Sequence, residues 1–144
     1  MNNKIKVNKN WNLLDYFYYK VTLYYSKSES RYGINDNKRR GSYAVGLFLS
    51  LNIESLIMLF LVFFVKKNTL LSDVMGFIIV GIFLFVIFYT IYIFEKKRHS
   101  QIFMKYKNEQ LKQRKNREKI LIIYIILTIV VFCTAVYLGA ELWK

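Results

Sequence analysis

Three long apolar runs dominate this 144-residue sequence. They cover residues 43–65, 74–94 and 120–140, and the second and third contain no charged residue. A helix that crosses the hydrocarbon core of a bilayer needs about 20 predominantly apolar residues. Because 55% of the chain is hydrophobic, the remaining polar surface is too small to cover three such helices in water. The sequence therefore predicts three membrane-spanning segments.

The runs are rich in Ile, Val, Phe and Tyr, which also favour strands. They are, however, too long for barrel strands and lack the strict apolar–polar alternation that such strands show. Helices satisfy every backbone hydrogen bond within the segment, which lipid demands. The chain has no proline, so unbroken helices are favoured. We expect an all-α integral membrane protein: a bundle of three transmembrane helices with an amphipathic interfacial helix at the N-terminus.

The basic residues are distributed unevenly around these spans. Residues 1–42 contain nine Lys and Arg and the connector 95–119 contains ten, whereas residues 66–73 contain two and the tail 141–144 contains one. Positively charged loops stay in the cytosol. We therefore expect the N-terminal segment and the long connector to be cytosolic and the C-terminus to be external. Composition and layout are typical of small bacterial inner-membrane proteins, and this is the predicted location.

The N-terminal segment 11–27 has an aromatic-rich face. Residues at helical spacing form it: Trp11, Leu14, Tyr18, Val21 and Tyr25. Such segments settle in the headgroup region of a membrane. The helix would then either support the bundle from beneath or bind a partner or lipid. The polar residues 26–41 that follow are predicted to form a loop.

The connector 95–119 has a net charge of +7 and lacks Gly and Pro, so the second span is predicted to continue into it as a helix. Ile102 and Tyr106 lie four residues apart and would face a partner helix. The basic residues either serve as a topology signal on a solvated face or bind anionic lipid headgroups. The predicted lipid-binding residues are Lys96, Lys97, Arg98, Lys105, Lys107, Lys112, Arg114, Lys115 and Arg117.

The first span places Glu54 close to the middle of the bilayer. A charged residue there costs about 2.5–3.5 kcal/mol, and low dielectric disfavours the charged form of a carboxyl, so we expect Glu54 to be protonated. Its hydroxyl would donate to Thr128, to Asn52 of a neighbouring copy or to a second Glu54. Small residues four apart permit close helix contact. The predicted intramembrane polar cluster comprises Gly46, Ser50, Asn52, Glu54, Ser55 and Thr128.

No constellation of catalytic residues is evident in the sequence, so we expect no enzymatic activity, cofactor, metal or nucleic-acid partner. The leading interpretation is a non-enzymatic membrane protein that acts through helix–helix association, as an accessory or scaffold subunit or a homo-oligomer. One alternative is a channel or pore-forming effector in which Glu54 lines a polar path. Another is an immunity-type membrane protein that binds a toxin.

Overall fold

The computed structural model describes residues 12–29, 37–64, 69–107 and 109–142, and every regular element in these ranges is helical. The elements in chain order are α1 (Leu13–Glu29), α2 (Asn37–Phe64), α3 (Thr69–Ile91), a π-helical segment (Tyr92–Arg98), α4 (His99–Tyr106) and α5 (Leu111–Leu142). Three helices are long and apolar enough to cross a membrane: α2, the continuous helix that runs from α3 through α4, and α5. The three predicted helices are thereby confirmed.

The loop prediction for residues 26–41 was wrong at both ends. Residues 26–29 complete α1 and residues 37–41 begin α2, whereas residues 30–36 lie outside the described part of the chain. The Ser26 hydroxyl donates to the carbonyl of Leu23 within the helix, at 2.8 Å. Lys and Arg are good helix formers, so the basic residues before the first apolar run extend α2 instead of ending it.

Gly41 is helical because it lies where α1 and α2 cross. A Cβ atom at this position would overlap the hydroxyl of Thr22 and lie 3.0 Å from the ring of Tyr18. Only a residue without a side chain lets the two helices approach this closely. The glycine in the sequence therefore marks a helix crossing and not a turn.

The three long helices form a layer with α2 in the middle. α2 packs along both α3 and α5, whereas contact between α3 and α5 is marginal in the part of the chain that the structure describes. The two neighbours occupy different sides of α2: Gly46 and Ser50 contact α3, and Asn52 contacts α5. Two further sides of α2 are consequently available to α1 or to the surroundings.

α1 covers one of these sides at the basic end of the layer, the end where α2 and α5 begin and α4 ends. Its Tyr16, Phe17 and Tyr18 are buried in a core shared with Val45 of α2. Tyr106 of α4 completes this core, and its ring lies 5.3 Å from that of Tyr16 in an edge-on arrangement. The helix thus packs against the chain's own helices, chiefly α2 and α4.

The π-helical segment keeps one face of a long helix turned towards α1 and α2. Thr90, Phe94, Ile102 and Tyr106 are all buried although their spacing is four or eight residues. In an α-helix four residues overshoot a full turn by about 40°, so Tyr106 would point about 160° away from Thr90. The wider π turns take up much of this rotation. As predicted, the second span continues as a helix and Ile102 and Tyr106 face a partner helix, here α1.

Candidate association site on the central helix

The apolar part of α2 is joined to α5 by a chain of three polar side chains. Nδ2 of Asn52 donates to the hydroxyl of Tyr124 at 2.7 Å and to the carbonyl of Phe48 at 2.9 Å. The hydroxyl of Thr128 donates to Oδ1 of Asn52 at 3.2 Å. Both ends of the Asn52 amide are therefore hydrogen-bonded, although the side chain is only half-buried. Thr128 is engaged with Asn52 of the same copy and not with Glu54.

The contact of α2 with α3 relies on small residues. A Cβ atom on Gly46 would lie 2.5 Å from Oγ1 of Thr90 and 3.2 Å from Cα of Ile87. One turn further along, Ser50 is fully buried and its hydroxyl donates to the carbonyl of Phe83 at 3.5 Å. Gly46 and Ser50, two members of the predicted polar cluster, thus form an interface within the chain.

Ser55 is buried and satisfies its hydroxyl locally. Its Oγ donates to the carbonyl of Leu51 one turn back in α2, at 2.6 Å. Ser and Thr hydroxyls in apolar helices commonly bond in this way. The Ser55 hydroxyl therefore needs no hydrogen-bond partner outside its own helix.

Glu54 differs from the other polar members of the cluster. It is half-buried, and it has no hydrogen-bond or ion-pair partner among the residues that the structure describes. Leu47 lies on the same side of α2, two turns before Glu54, and is 43% exposed. Tyr43 lies one turn before Leu47 on that side and is 46% exposed. We call Tyr43, Leu47 and Glu54 the open face of α2.

The open face lies away from α1. Val45, which packs into the α1 core, is two residues from both Tyr43 and Leu47 and so points to the other side of the helix. α3 and α5 occupy the flanks through Gly46 and Asn52. The structure thus brings five of the six residues of the predicted cluster into contacts within the chain, and leaves Glu54 half-buried on a side of α2 where Tyr43 and Leu47 are exposed.

The predicted lipid-binding residues fall into two groups. Four of the nine form ion pairs with nearby carboxylates. These are Arg98 and Lys105 with Asp15, Arg114 with Glu118, and Arg117 with Glu109, at 2.8, 3.9, 3.1 and 2.7 Å. The others are exposed: Lys96, Lys97, Lys107, Lys112 and Lys115. The first group helps to hold the basic end together, and lipid binding stays a prediction for the second.

Asp15 is a structural residue that the sequence did not reveal. Its side chain is only 3% exposed and accepts a hydrogen bond from Arg98 Nη2 at 2.8 Å. Burial raises the pKa of Asp15, although the charges of Arg98 and Lys105 oppose the increase. The ionised carboxylate is thus less favourable here than in water, so the pair fixes the position of α1 on α4 more than it stabilises the fold.

Tyr18 and His99 form a second polar contact between α1 and α4. The Tyr18 hydroxyl lies 2.8 Å from Nδ1 of His99 and hydrogen-bonds with it. Burial raises the pKa of Tyr18 to about 12, so the phenol keeps its proton at neutral pH. The sequence placed Tyr18 on the apolar face of its helix. That the two are partners could be known only from the packing of α1 on α4. Trp11, the first residue of that face, lies outside the described residues.

No protein-family model matches this chain, and neither a curated protein nor a solved structure shows significant similarity to it.

Proposed function

We propose that this protein is a non-enzymatic integral membrane protein that acts through helix–helix association, with the open face of α2 as the contact surface. The observation that carries the proposal is the position of Glu54. Every other polar side chain of the cluster is hydrogen-bonded or packed within the chain, whereas Glu54 has no partner among the described residues. Lipid tails offer no hydrogen bond, so a carboxyl at that depth is satisfied only by another protein group.

A second copy of the chain is the simplest partner. In a two-fold symmetric contact the same face meets itself, and two protonated carboxyls would donate to each other. Tyr43 and Leu47 lie on the same side of the helix and would extend the contact towards the basic end. Both residues are exposed between α3 and α5, so a second α2 would approach there. An accessory role beside a different membrane protein would use the same surface.

Replacement of Glu54 tests this proposal. We expect Glu54→Leu to weaken self-association about tenfold, because an intramembrane hydrogen bond contributes about 0.6–2 kcal/mol. Glu54→Gln is expected to retain association, since the amide also donates and accepts. The readout is energy transfer between donor- and acceptor-labelled copies in lipid nanodiscs or vesicles, with the dyes on Lys107→Cys in a Cys133→Ser background. Lys107 is exposed at the basic end.

The matched control is Leu56→Ala, which alters a residue of α2 that is 67% exposed and lies outside the open face. Association should be unchanged in this variant. Equal association of wild type and Glu54→Leu would contradict the assignment of the open face. An absence of energy transfer in the wild type would exclude a homo-oligomer, and a different membrane protein that co-purifies with the wild type but not with Glu54→Leu would then be the partner.

A pore built from several copies is the second candidate, and the partial exposure of Glu54 is the observation that favours it. A membrane-impermeant thiol reagent added to intact cells separates the two. We expect Glu54→Cys, in the Cys133→Ser background, to remain unlabelled while Asn68→Cys in the short connector reacts. Labelling at position 54 would demonstrate an aqueous path to the middle of the membrane and would favour the pore. If Asn68→Cys were also unlabelled, the predicted orientation of the chain in the membrane would be inverted.

A further inference from the structure

The polar beginning of α5 carries three lysines on one side. Lys112, Lys115 and Lys119 are exposed and lie three and four residues apart, so their side chains follow one line along the helix. Gln113 and Asn116 lie beside them, and the five side chains line a shallow depression of about 470 Å³. We call the three lysines the lysine row. It is about 10 Å long, because an α-helix rises about 1.5 Å per residue.

The lysine row lies on the side of α5 that faces away from the rest of the chain. The opposite side holds Glu118, which pairs with Lys20 of α1, and Leu121, which is buried in the shared core. Among the described residues, no side chain of the lysine row has an ion pair, a hydrogen bond or a ring contact. Like charges three and four residues apart repel one another and weaken a helix. The lysine row is therefore a surface charge that the described part of the chain does not neutralise.

The direction of α5 places most of the lysine row beyond the lipid headgroups. The helix is continuous over Leu111–Leu142, and its apolar run begins at Ile120. The headgroup layer is roughly 5–8 Å thick on each side of a bilayer. Lys119 lies within that layer, Lys115 at its outer edge and Lys112 about 12 Å from the apolar run. Anionic lipid would therefore contact only one end of the lysine row. This placement rests on the proposal that α5 crosses a membrane and is independent of the open face of α2.

We propose that the lysine row binds an acidic helix of a partner protein on the same side of the membrane. Carboxylates at three- and four-residue spacing on such a helix follow a line with the same rise, so three of them meet the three lysines at once. An extended chain matches less well, because its side chains on one face repeat only every 6.8 Å or about that. Gln113 and Asn116 supply further N–H donors for carboxylate oxygens. The depression has no aromatic side chain on which a nucleic-acid base would stack.

The experiment uses the full chain in nanodiscs of phosphatidylcholine, which has no net charge. The probe is a labelled alanine-rich helical peptide with glutamates at three- and four-residue spacing, and a second peptide of the same composition distributes its glutamates around the helix. Fluorescence anisotropy should show the first peptide bound about fivefold more tightly than the second, with an affinity that falls as salt is added. Combined replacement of the lysine row, Lys112→Gln, Lys115→Gln and Lys119→Gln, is expected to lower the affinity about tenfold, because each exposed ion pair contributes a factor of about two.

The matched control removes the same charge from exposed lysines on other helices, through Lys38→Gln, Lys96→Gln and Lys97→Gln. We expect its affinity to change less than about twofold, and circular dichroism shows that both triple variants keep the helical fold. Equal weakening by the two variants, or equal binding of the two peptides, would overturn the proposal in favour of diffuse attraction. An unbound peptide would overturn it as well. Phosphatidylglycerol retained by the wild type but not by the lysine-row variant would then assign the lysine row to the membrane, and single-stranded RNA bound more tightly than the peptide would assign it to nucleic acid.

Discussion

Replacement of Tyr106 by alanine is expected to lower the free energy of unfolding by about 3–5 kcal/mol and to release α1 from the bundle. The Tyr106 side chain is only 1% exposed, and its ring packs at 5.3 Å from Tyr16 and 5.6 Å from Tyr19. Its hydroxyl also donates to the carbonyl of Asn12 at 3.3 Å. Among the described residues, no other aromatic ring contacts both Tyr16 and Tyr19, so the loss of Tyr106 leaves a cavity at the centre of the α1 contact.

Two measurements check this result. Unfolding in mixed micelles of increasing denaturing-detergent fraction gives the change in free energy, and limited proteolysis within α1 reports its release. Tyr106→Phe keeps the ring and loses only the hydroxyl, so a cost of at most about 1.5 kcal/mol is expected. Tyr89→Ala removes a ring that is 55% exposed and serves as the second control. If Tyr106→Ala lowered the free energy of unfolding as little as Tyr89→Ala does, the aromatic core would not be what holds α1 on the bundle.

Gly46→Leu is expected to separate α2 from α3 and to lower the free energy of unfolding by about 3 kcal/mol, which is at the upper end of the range for overpacked positions. The new side chain would meet Oγ1 of Thr90 and the backbone of Ile87. Thr90 cannot turn away without loss, because its hydroxyl donates to the carbonyls of Val86 and Ile87 at 2.9 and 2.8 Å. A shift of α3 away from Gly46 would also lengthen the hydrogen bond from Ser50 to the carbonyl of Phe83.

The chain contains a matched control for this substitution. Gly81 of α3 has no atom within 4 Å of the position that a Cβ would occupy, so Gly81→Leu adds an apolar side chain to an open surface and should cost nothing measurable. Gly46→Ala combined with Thr90→Ala should restore part of the stability that Gly46→Ala alone loses. Disulfide cross-linking between cysteines introduced into α2 and α3 reports their separation. Equal effects of Gly46→Leu and Gly81→Leu would mean that the two helices do not pack at Gly46.

The long helices were predictable because few backbone structures are stable in lipid. An uncharged run of more than twenty residues is a helix whatever its neighbours are, since only a helix satisfies its own backbone. The continuation of the second span past Phe94 was predictable for a local reason as well, the absence of Gly and Pro from residues 95–107. Ile102 and Tyr106 could be identified because they are apolar and lie four residues apart in a basic stretch.

The contacts between elements were less accessible from the sequence. Glu54 attracted attention because a carboxyl in an apolar run is costly, yet the contact between α2 and α5 is made by Asn52, Tyr124 and Thr128. Which polar residues meet depends on how the helices are rotated, and periodicity does not determine this for helices that are apolar on all sides. Asp15 was overlooked for the same reason: a lone carboxylate in an aromatic helix becomes an ion pair only when Arg98 is folded back onto it.

The layered arrangement also imposes an order on biosynthesis. The chain is made from its N-terminus, so α2 and α3 can pair at Gly46 and Ser50 while α5 is still being synthesised. During that interval Asn52 has no Tyr124 to bind, but its bond to the carbonyl of Phe48 lies within α2 itself and already covers one amide proton in lipid. Because α5 follows α2 and α3 in the chain, its docking onto α2 and α1 comes after the pairing of α2 with α3. A chain truncated before residue 124 would therefore present the paired α2 and α3 with Asn52 on a side of α2 that is prepared but empty.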